Sequence, residues 1–416
     1  DEGRHPARGV PAFGAPPTGT TTRSDARDPV PPPPDRSTAV TVPATTTTGV
    51  GWSARAGAWL AIGAAAAALV LGAGIAHRHG GAAAALPLLA GALVMGALLT
   101  AQGKLGLAEP LGEAATLSEL APRYLRRSSH VALNAILGVA MIGWFGFNVG
   151  LGGAAAAALL GLPGWAGPLL LGVPIVALSF GGMGRWNALA IATTSSALVL
   201  VGVVALRLAA PQTPVTVAPG PLSLAVPDVA ALVGYASVFS VRAPDFSVGL
   251  RSGRDLLVCV GLLVVPTLLV LLAGAGLYLG TGSVDLVGTL AARDGLPVGN
   301  LLVALSVIAP AFTTTYSGSL SLRSVTRLSE RAAVLTVAIP GLALAVLRFD
   351  RQLVGWLTVL AALLPPLVVP MALEGARRRR GRAPRLVPLW TFAPASAVAV
   401  ALTAAHVPVA PLVGLA

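Results

Sequence analysis

From Trp52 onward, apolar runs long enough to cross a lipid bilayer follow one another almost without interruption, and nothing else constrains the fold as strongly. They cover roughly 53 to 76, 82 to 102, 130 to 160, 166 to 183, 187 to 207, 229 to 250, 256 to 279, 298 to 321, 332 to 347, 353 to 373 and 387 to 406. In hydrocarbon every backbone N–H and C=O must find its partner inside the protein, so runs of about 20 apolar residues fold as helices. The expected class is an all-α, polytopic membrane protein with eleven spans. After His406 the sequence VPVAPLVGLA begins another apolar run too short to cross, read as a truncated twelfth. Only 11% of the residues are charged, against about 25% in an average soluble chain, which excludes a soluble domain.

Residues 1–51 differ in kind. PAFGAPPTGTTT, PVPPPPD and VPATTTT are rich in proline and threonine and offer no apolar face to bury, so a disordered cytoplasmic tail is expected ahead of a transmembrane domain over 52–416. No basic segment followed by a short apolar core opens the chain, so a cleaved signal peptide is not expected. The one cysteine, Cys259, lies inside a span, which leaves no disulfide framework and no cysteine-ligated metal site within one chain.

The net charge of +12 is explained by topology rather than by nucleic acid. With the N-terminus inside, 22 of the 28 Lys and Arg fall in the inner segments and five in the outer loops; Arg242, within a span, completes the set. That alternation supports both the span count and a cytoplasmic N-terminus in a cell membrane. The run RRRRGRAPR belongs to the same signal.

Within the spans, a few polar and aromatic residues stand out. Between Ala230 and Asp255 a membrane helix is broken by Arg242, Pro244 and Asp245. A charge at membrane depth costs roughly 2.5 to 3.5 kcal/mol on insertion scales, so the Arg242 and Asp245 charges at i and i+3 are expected to pair, with a coupling or gating role near the midplane or a snorkelling one. In span 3, IGWFGFNVGLGG places Trp144 and Asn148 one turn apart among glycines. An indole plate beside a buried amide suits a planar ring with polar edges, although the same face also serves helix packing. Span 6 adds Gly234, Tyr235 and Phe239, a second aromatic plate that would sandwich a base against Trp144. In span 8, Pro310 is followed by Thr313, Thr314, Thr315, Tyr316 and Ser317. Such hydroxyls either serve a ligand or Na⁺, or bond back to their own helix.

These residues resemble a known family. GWFGFN from Gly143, GYASVFSVRAPDF from Gly234 and VGWLTVLAALLPP from Val354 are similar to motifs of the purine-cytosine permeases, the nucleobase-cation symporters that include hydantoin and allantoin carriers. The resemblance implies a LeuT-type fold of two inverted five-helix repeats with discontinuous spans 1 and 6. It also implies import of a nucleobase-like substrate such as cytosine, hydroxymethylpyrimidine, a purine or a hydantoin, with Na⁺ or H⁺, and no enzymatic activity. By the same resemblance, Trp144 and Tyr235 would stack on the substrate, Asn148 would hydrogen-bond it and Gly234 would offer backbone groups. With crossing inverted repeats, Thr313 and Thr314, in the turn to Thr315, would converge with them on one cavity near the midplane, and Ser306 with Thr313 would be the remaining sodium hydroxyls. Span 8 departs from the cytosine pattern at Ala309–Tyr316 and is closer to the hydroxymethylpyrimidine branch, which leaves proton coupling open. No cofactor beyond a coupling ion is implied. Among other classes, an intramembrane enzyme lacks an H-E-x-x-H arrangement, whereas a channel or receptor for a planar ligand differs in being unable to concentrate it.

Overall fold

A computed structural model describes residues 49–180, 186–209, 225–292 and 297–405. The expected tail up to residue 48 and the apolar run after 405 lie outside the described residues. Span 1 is divided into α1 (Ala56–Gly63) and α2 (Ala67–His79). Span 2 is α3 (Ala85–Gly103), and a short amphipathic α4 (Leu117–Tyr124) precedes span 3, α5 (Arg127–Leu160). Spans 4 and 5 are α6 (Ala166–Ser179) and α7 (Trp186–Val203); span 6 divides into α8 (Ala225–Val241) and α9 (Ala243–Ser247), and span 7 is α10 (Gly253–Thr281). After α11 (Leu286–Ala292), span 8 divides into α12 (Pro297–Ser306) and α13 (Ile308–Val325). Span 9 is α14 (Glu330–Val346), span 10 divides into α15 (Leu353–Leu363) and α16 (Pro365–Arg379), and span 11 is α17 (Ala393–Ala404). All eleven expected spans are therefore helical. Among the described residues seven stretches are long and apolar enough to cross a membrane; Ala166–Ser179, Ala225–Val241 and Ala393–Ala404 are apolar but shorter.

Spans 1 and 6, the first of each half, are broken as expected, and so are spans 8 and 10. In three of the four breaks a proline opens the second segment. Pro244 stands in the first turn of α9, Pro310 in the first turn of α13, and Pro365 with Pro366 begins α16. A first-turn residue has no intrahelical partner for its N–H, so proline costs little there while the chain before it must leave the helix. The break in span 8 accordingly falls at Val307 and not at Pro310 itself, and Thr193 on α7 accepts a hydrogen bond from the buried first-turn Ala309 N–H at 3.3 Å.

The helices sort into two packed groups. In one, α2 runs along α10 and α3 along α8; in the other, α5 is wrapped by α6, α12, α13 and α14. The crossing of α2 and α10 is reciprocal: Gly72 lies on the Leu271 backbone and Gly274 on the Leu69 backbone, so that a Cβ at either would collide with a carbonyl. Small residues at such crossings let backbones approach, and in lipid this packing replaces the hydrophobic drive of water. Gly274→Val is expected to lower stability by about 1–3 kcal/mol or more, since the backbone cannot move aside. Gly261→Val on the same helix, with open space at its Cβ, is expected to leave the thermal midpoint in detergent unchanged.

Loops that alternate in the sequence gather at opposite ends. At the arginine-rich end, Val50 pairs with Leu250, Gly249 donates to the Gly106 carbonyl, and Leu125 pairs with Val387. The basic run is partly internal cement there. Buried Glu374 accepts from Arg377, Arg378 and the Arg385 N–H, and Arg378 lies 3.8 Å over the Tyr124 ring. The Tyr124 phenol, which donates to Glu113, is pushed well above its usual range by burial and by that carboxylate. At the other end, Arg78 and His79 in the last turn of α2 hold Asp228 in the first turn of α8.

This sorting corrects the depth assigned to Arg242. The break in span 6 lies near the arginine-rich end, one short helix from the 104–106 turn, and not at the midplane. Cys259 is buried within α10, as its place in a span requires.

Candidate functional site

The two helix groups meet at an aromatic cluster. Trp144 on α5 and Tyr235 on α8 stand 5.7 Å apart between ring centroids at an interplanar angle of 77°, with Phe239 at 6.4 Å from each. The helical spacing explains the pairing. Tyr235 and Phe239 are one turn apart, so both rings leave α8 on one side, and Trp144 meets them from α5. Trp144 and Tyr235 touch edge to face, with no slot between parallel plates, so a base between them would require the rings to part. Phe147, which the sequence reading did not single out, adds a ring 5.9 Å from Trp144.

What marks the cluster is its polar chemistry. Trp144 and Tyr235 are 4% and 1% exposed, yet among the described residues neither Trp144 Nε1 nor Tyr235 Oη has a hydrogen-bond partner. A buried polar group without a partner costs about 1–3 kcal/mol. Two of them on touching rings, at the junction of two helix groups, point to a site whose partner arrives from outside the chain. A third orphaned donor, Trp356 Nε1 on α15, belongs to a ring packed on Gly143, next to Trp144 in sequence. Trp356 was also missed; its signal was the V-G-W motif quoted only as a family resemblance.

The remaining expected residues divide. Asn148 is buried, and its Nδ2 donates to the Trp144 carbonyl at 2.8 Å, which leaves its Oδ1 to accept. Contacts fix the register of α13 against α5: Leu322 lies over Gly138, Gly318 against Met141, and Val307 over Gly152. The two helices are thus antiparallel, and Thr313 and Thr314 stand level with the Trp144–Asn148 turn. Both are half-buried and bond back to their own helix, Thr313 to the Ala309 carbonyl at 2.7 Å and Thr314 to the Ala311 carbonyl at 2.8 Å. Ser306 does the same to the Val303 carbonyl at 2.8 Å. These hydroxyls have spent their donors and keep only oxygen lone pairs, the kind of group a hard cation accepts.

Gly234 requires correction. A Cβ there would collide with the Leu357 carbonyl, so its open face is filled by α15, and its own carbonyl accepts from Ser237 at 2.7 Å. Gly234 serves the close approach of α8 and α15 rather than offering backbone groups to a ligand.

Arg242 and Asp245 do pair, Nε to Oδ2 at 2.9 Å, and Asp245 Oδ1 also accepts the Leu117 N–H at 2.6 Å. The pair therefore anchors the N-terminus of α4 beneath the cluster. Among the described residues no group of three or more His, Cys, Asp or Glu is placed to hold a metal ion.

No protein-family model matches this sequence, and no curated protein does. Solved structures do share the fold. One, described as Mhp1, a nucleobase-cation-symport-1 family transporter, in a closed conformation with bromovinylhydantoin bound, has a TM-score of 0.63 at 17% identity, covering 89% of this chain and 91% of that one. The inward-facing conformation of Mhp1 has a TM-score of 0.61 at 17% identity, covering 88% of this chain and 90% of that one. At that identity the likeness shows the fold.

Proposed function

We propose that this chain is a secondary transporter of the nucleobase-cation symporter kind, which moves a planar, nucleobase-like heterocycle together with Na⁺ or H⁺ by alternating access. The observation that carries the reading is the pair of orphaned donors, Trp144 Nε1 and Tyr235 Oη, buried on touching rings where the two helix groups meet. A planar ring with carbonyl oxygens satisfies both donors, and the Asn148 Oδ1 accepts from a ring N–H. For the ligand to enter, the edge-to-face rings must part, which a movement of one helix group against the other supplies. The fold likeness supports the reading, since one of the similar structures holds a hydantoin.

In this account Trp144, Tyr235 and Phe239 grip the ring face and Asn148 reads its edge. Thr313 and Thr314 line the α13 side. The Thr313 and Ser306 oxygens are the groups left for a coupling cation, and the Arg242–Asp245 pair gates the arginine-rich side. That side faces the cytoplasm of a cell membrane, following the distribution of arginine. The resemblance of the TTTYS run to the hydroxymethylpyrimidine branch is the reason to place that ring ahead of cytosine among the candidates.

The test is a thermal-shift and equilibrium-binding panel on the purified protein with hydroxymethylpyrimidine, uracil, cytosine, hypoxanthine and hydantoin. At least one planar ring is expected to stabilise the protein, by about 2.7 kcal/mol at one hundred times its Kd. No response to any of them contradicts the assignment of cargo.

A further inference from the structure

A cavity of about 170 Å³ lies apart from the ring cluster, toward the arginine-rich end, lined by Thr116, Asn134, Arg242, Asp245, Ser321 and Ser324 among others. We propose that it is a second binding station for the cargo, on its route between the ring cluster and the arginine-rich side; this rests on the transport reading above.

Three features carry it. First, the cavity contains an unspent donor. Arg242 gives its Nε to Asp245, but its Nη1 is buried and has no partner among the described residues, while the two Asp245 oxygens accept from Arg242 and from the Leu117 N–H. Across the same cavity, Asn134 Nδ2 donates to the His130 carbonyl at 2.9 Å, which orients the amide and leaves Oδ1 to accept. A charged donor and an amide acceptor together match a lactam edge, a ring N–H beside a C=O.

Second, the cavity is joined to the cluster by a polar stripe. Thr314, Ser317, Ser321 and Ser324 recur at three- and four-residue spacing on α13 and so share a face. Asn134 precedes Trp144 by ten residues on α5, about 15 Å at 1.5 Å per residue. A ligand in the cavity is therefore separate from one at the rings.

Third, its walls belong to both helix groups. Asn134 and the serines come from α5 and α13, Arg242 from the break between α8 and α9, and Asp245 from α9 itself. A movement of one group against the other changes this cavity and the ring cluster together.

The experiment measures uptake of labelled uracil and hydantoin, rings with a lactam edge, by right-side-out and inside-out vesicles carrying the full chain. Asn134→Ala removes the acceptor without adding bulk. It is expected to raise the KM for entry from the arginine-rich side about ten-fold, the size of one lost hydrogen bond to a buried edge, and to leave the KM from the other side within about two-fold. Ser321→Leu, which fills the cavity, is expected to slow uptake about ten-fold while equilibrium binding of the same ligands by thermal shift is kept. Equal KM changes from both sides, no change from either, or loss of equilibrium binding in both variants overturns the station. Should Asn134→Ala fail to fold, the Ser321→Leu rate decides. A wild type that neither binds nor moves any planar ring instead overturns the transport reading on which the station rests.

Discussion

Asp228→Ala is expected to destabilise the protein by about 1–3 kcal/mol, the cost of leaving a buried polar group without its partner. Asp228 is fully buried, takes Arg78 Nε at 3.0 Å and a second bond from the same guanidinium, and meets His79 Nε2 at 2.6 Å. The charges are also placed with the helix dipoles. The carboxylate stands in the first turn of α8, where N–H groups lack partners, and Arg78 and His79 stand in the last turn of α2, where carbonyls do. Removing the carboxylate leaves His79, 2% exposed, without its partner, while Arg78, whose side chain is 30% exposed, turns to solvent. Asp228→Asn keeps the shape and part of the bonding, so it should cost less. Thermal denaturation in detergent ranks the two variants. An Asp228→Ala protein within about 0.5 kcal/mol of the wild type, the ordinary range of an inert surface change, would show that the cluster does not hold spans 1 and 6 together.

The second large effect concerns recognition. Trp144→Ala should weaken binding of every planar ring about ten-fold or more, because stacking on an aromatic face contributes roughly 1–3 kcal/mol and does not read polar edges. Asn148→Ala removes the acceptor that reads an edge, at a similar cost of about 1–3 kcal/mol, and should change the ranking among pyrimidines. The two variants differ in pattern more than in size. Thr313→Val completes the set. Its hydroxyl already donates to the Ala309 carbonyl, so a loss of ion or ligand binding with an unchanged thermal midpoint assigns the oxygen lone pairs a role beyond that back-bond. Competition constants for cytosine, hydroxymethylpyrimidine, uracil and hypoxanthine make the comparison. A Trp144→Ala protein that binds all four like the wild type removes the ring cluster from the site.

Much of this architecture is legible in the sequence, for a physical reason. Hydrocarbon forces each long apolar run into a helix, and the arginines mark alternate ends, so eleven spans and their alternation follow from Trp52 to His406. The i,i+3 spacing of Arg242 and Asp245 was enough to pair them, and one-turn spacing brought Tyr235 and Phe239 to Trp144. What was not legible depends on partners far away in the chain. Hydropathy does not say how deep Arg242 lies, since a break near a helix end and one at its centre leave the same pattern. Gly234 reads alike whether its face meets a ligand or, as here, the Leu357 carbonyl. Asp228 lies one position before the expected start of span 6, and an acid in a helix's first turn facing an Arg-His pair at another helix's last turn is a signal that juxtaposition alone reveals. Phe147 adds a ring to the cluster and Trp356 packs beside it on Gly143, contacts that residue type alone does not distinguish from ordinary helix packing.

The most direct test of the central claim is accumulation. Reconstituted vesicles are loaded with no substrate, a membrane potential of about 100 mV is imposed with an inward gradient of Na⁺ or H⁺, and the steady internal level of the labelled ring is measured. One cation moved with a neutral ring contributes about 2.3 kcal/mol per 100 mV, enough for roughly fifty-fold accumulation from the potential alone. The account predicts accumulation well above the external level that disappears when potential and ion gradients are collapsed together. A ring that enters only until the two sides are equal, whatever the gradients, would contradict coupled transport and identify a passive pathway instead.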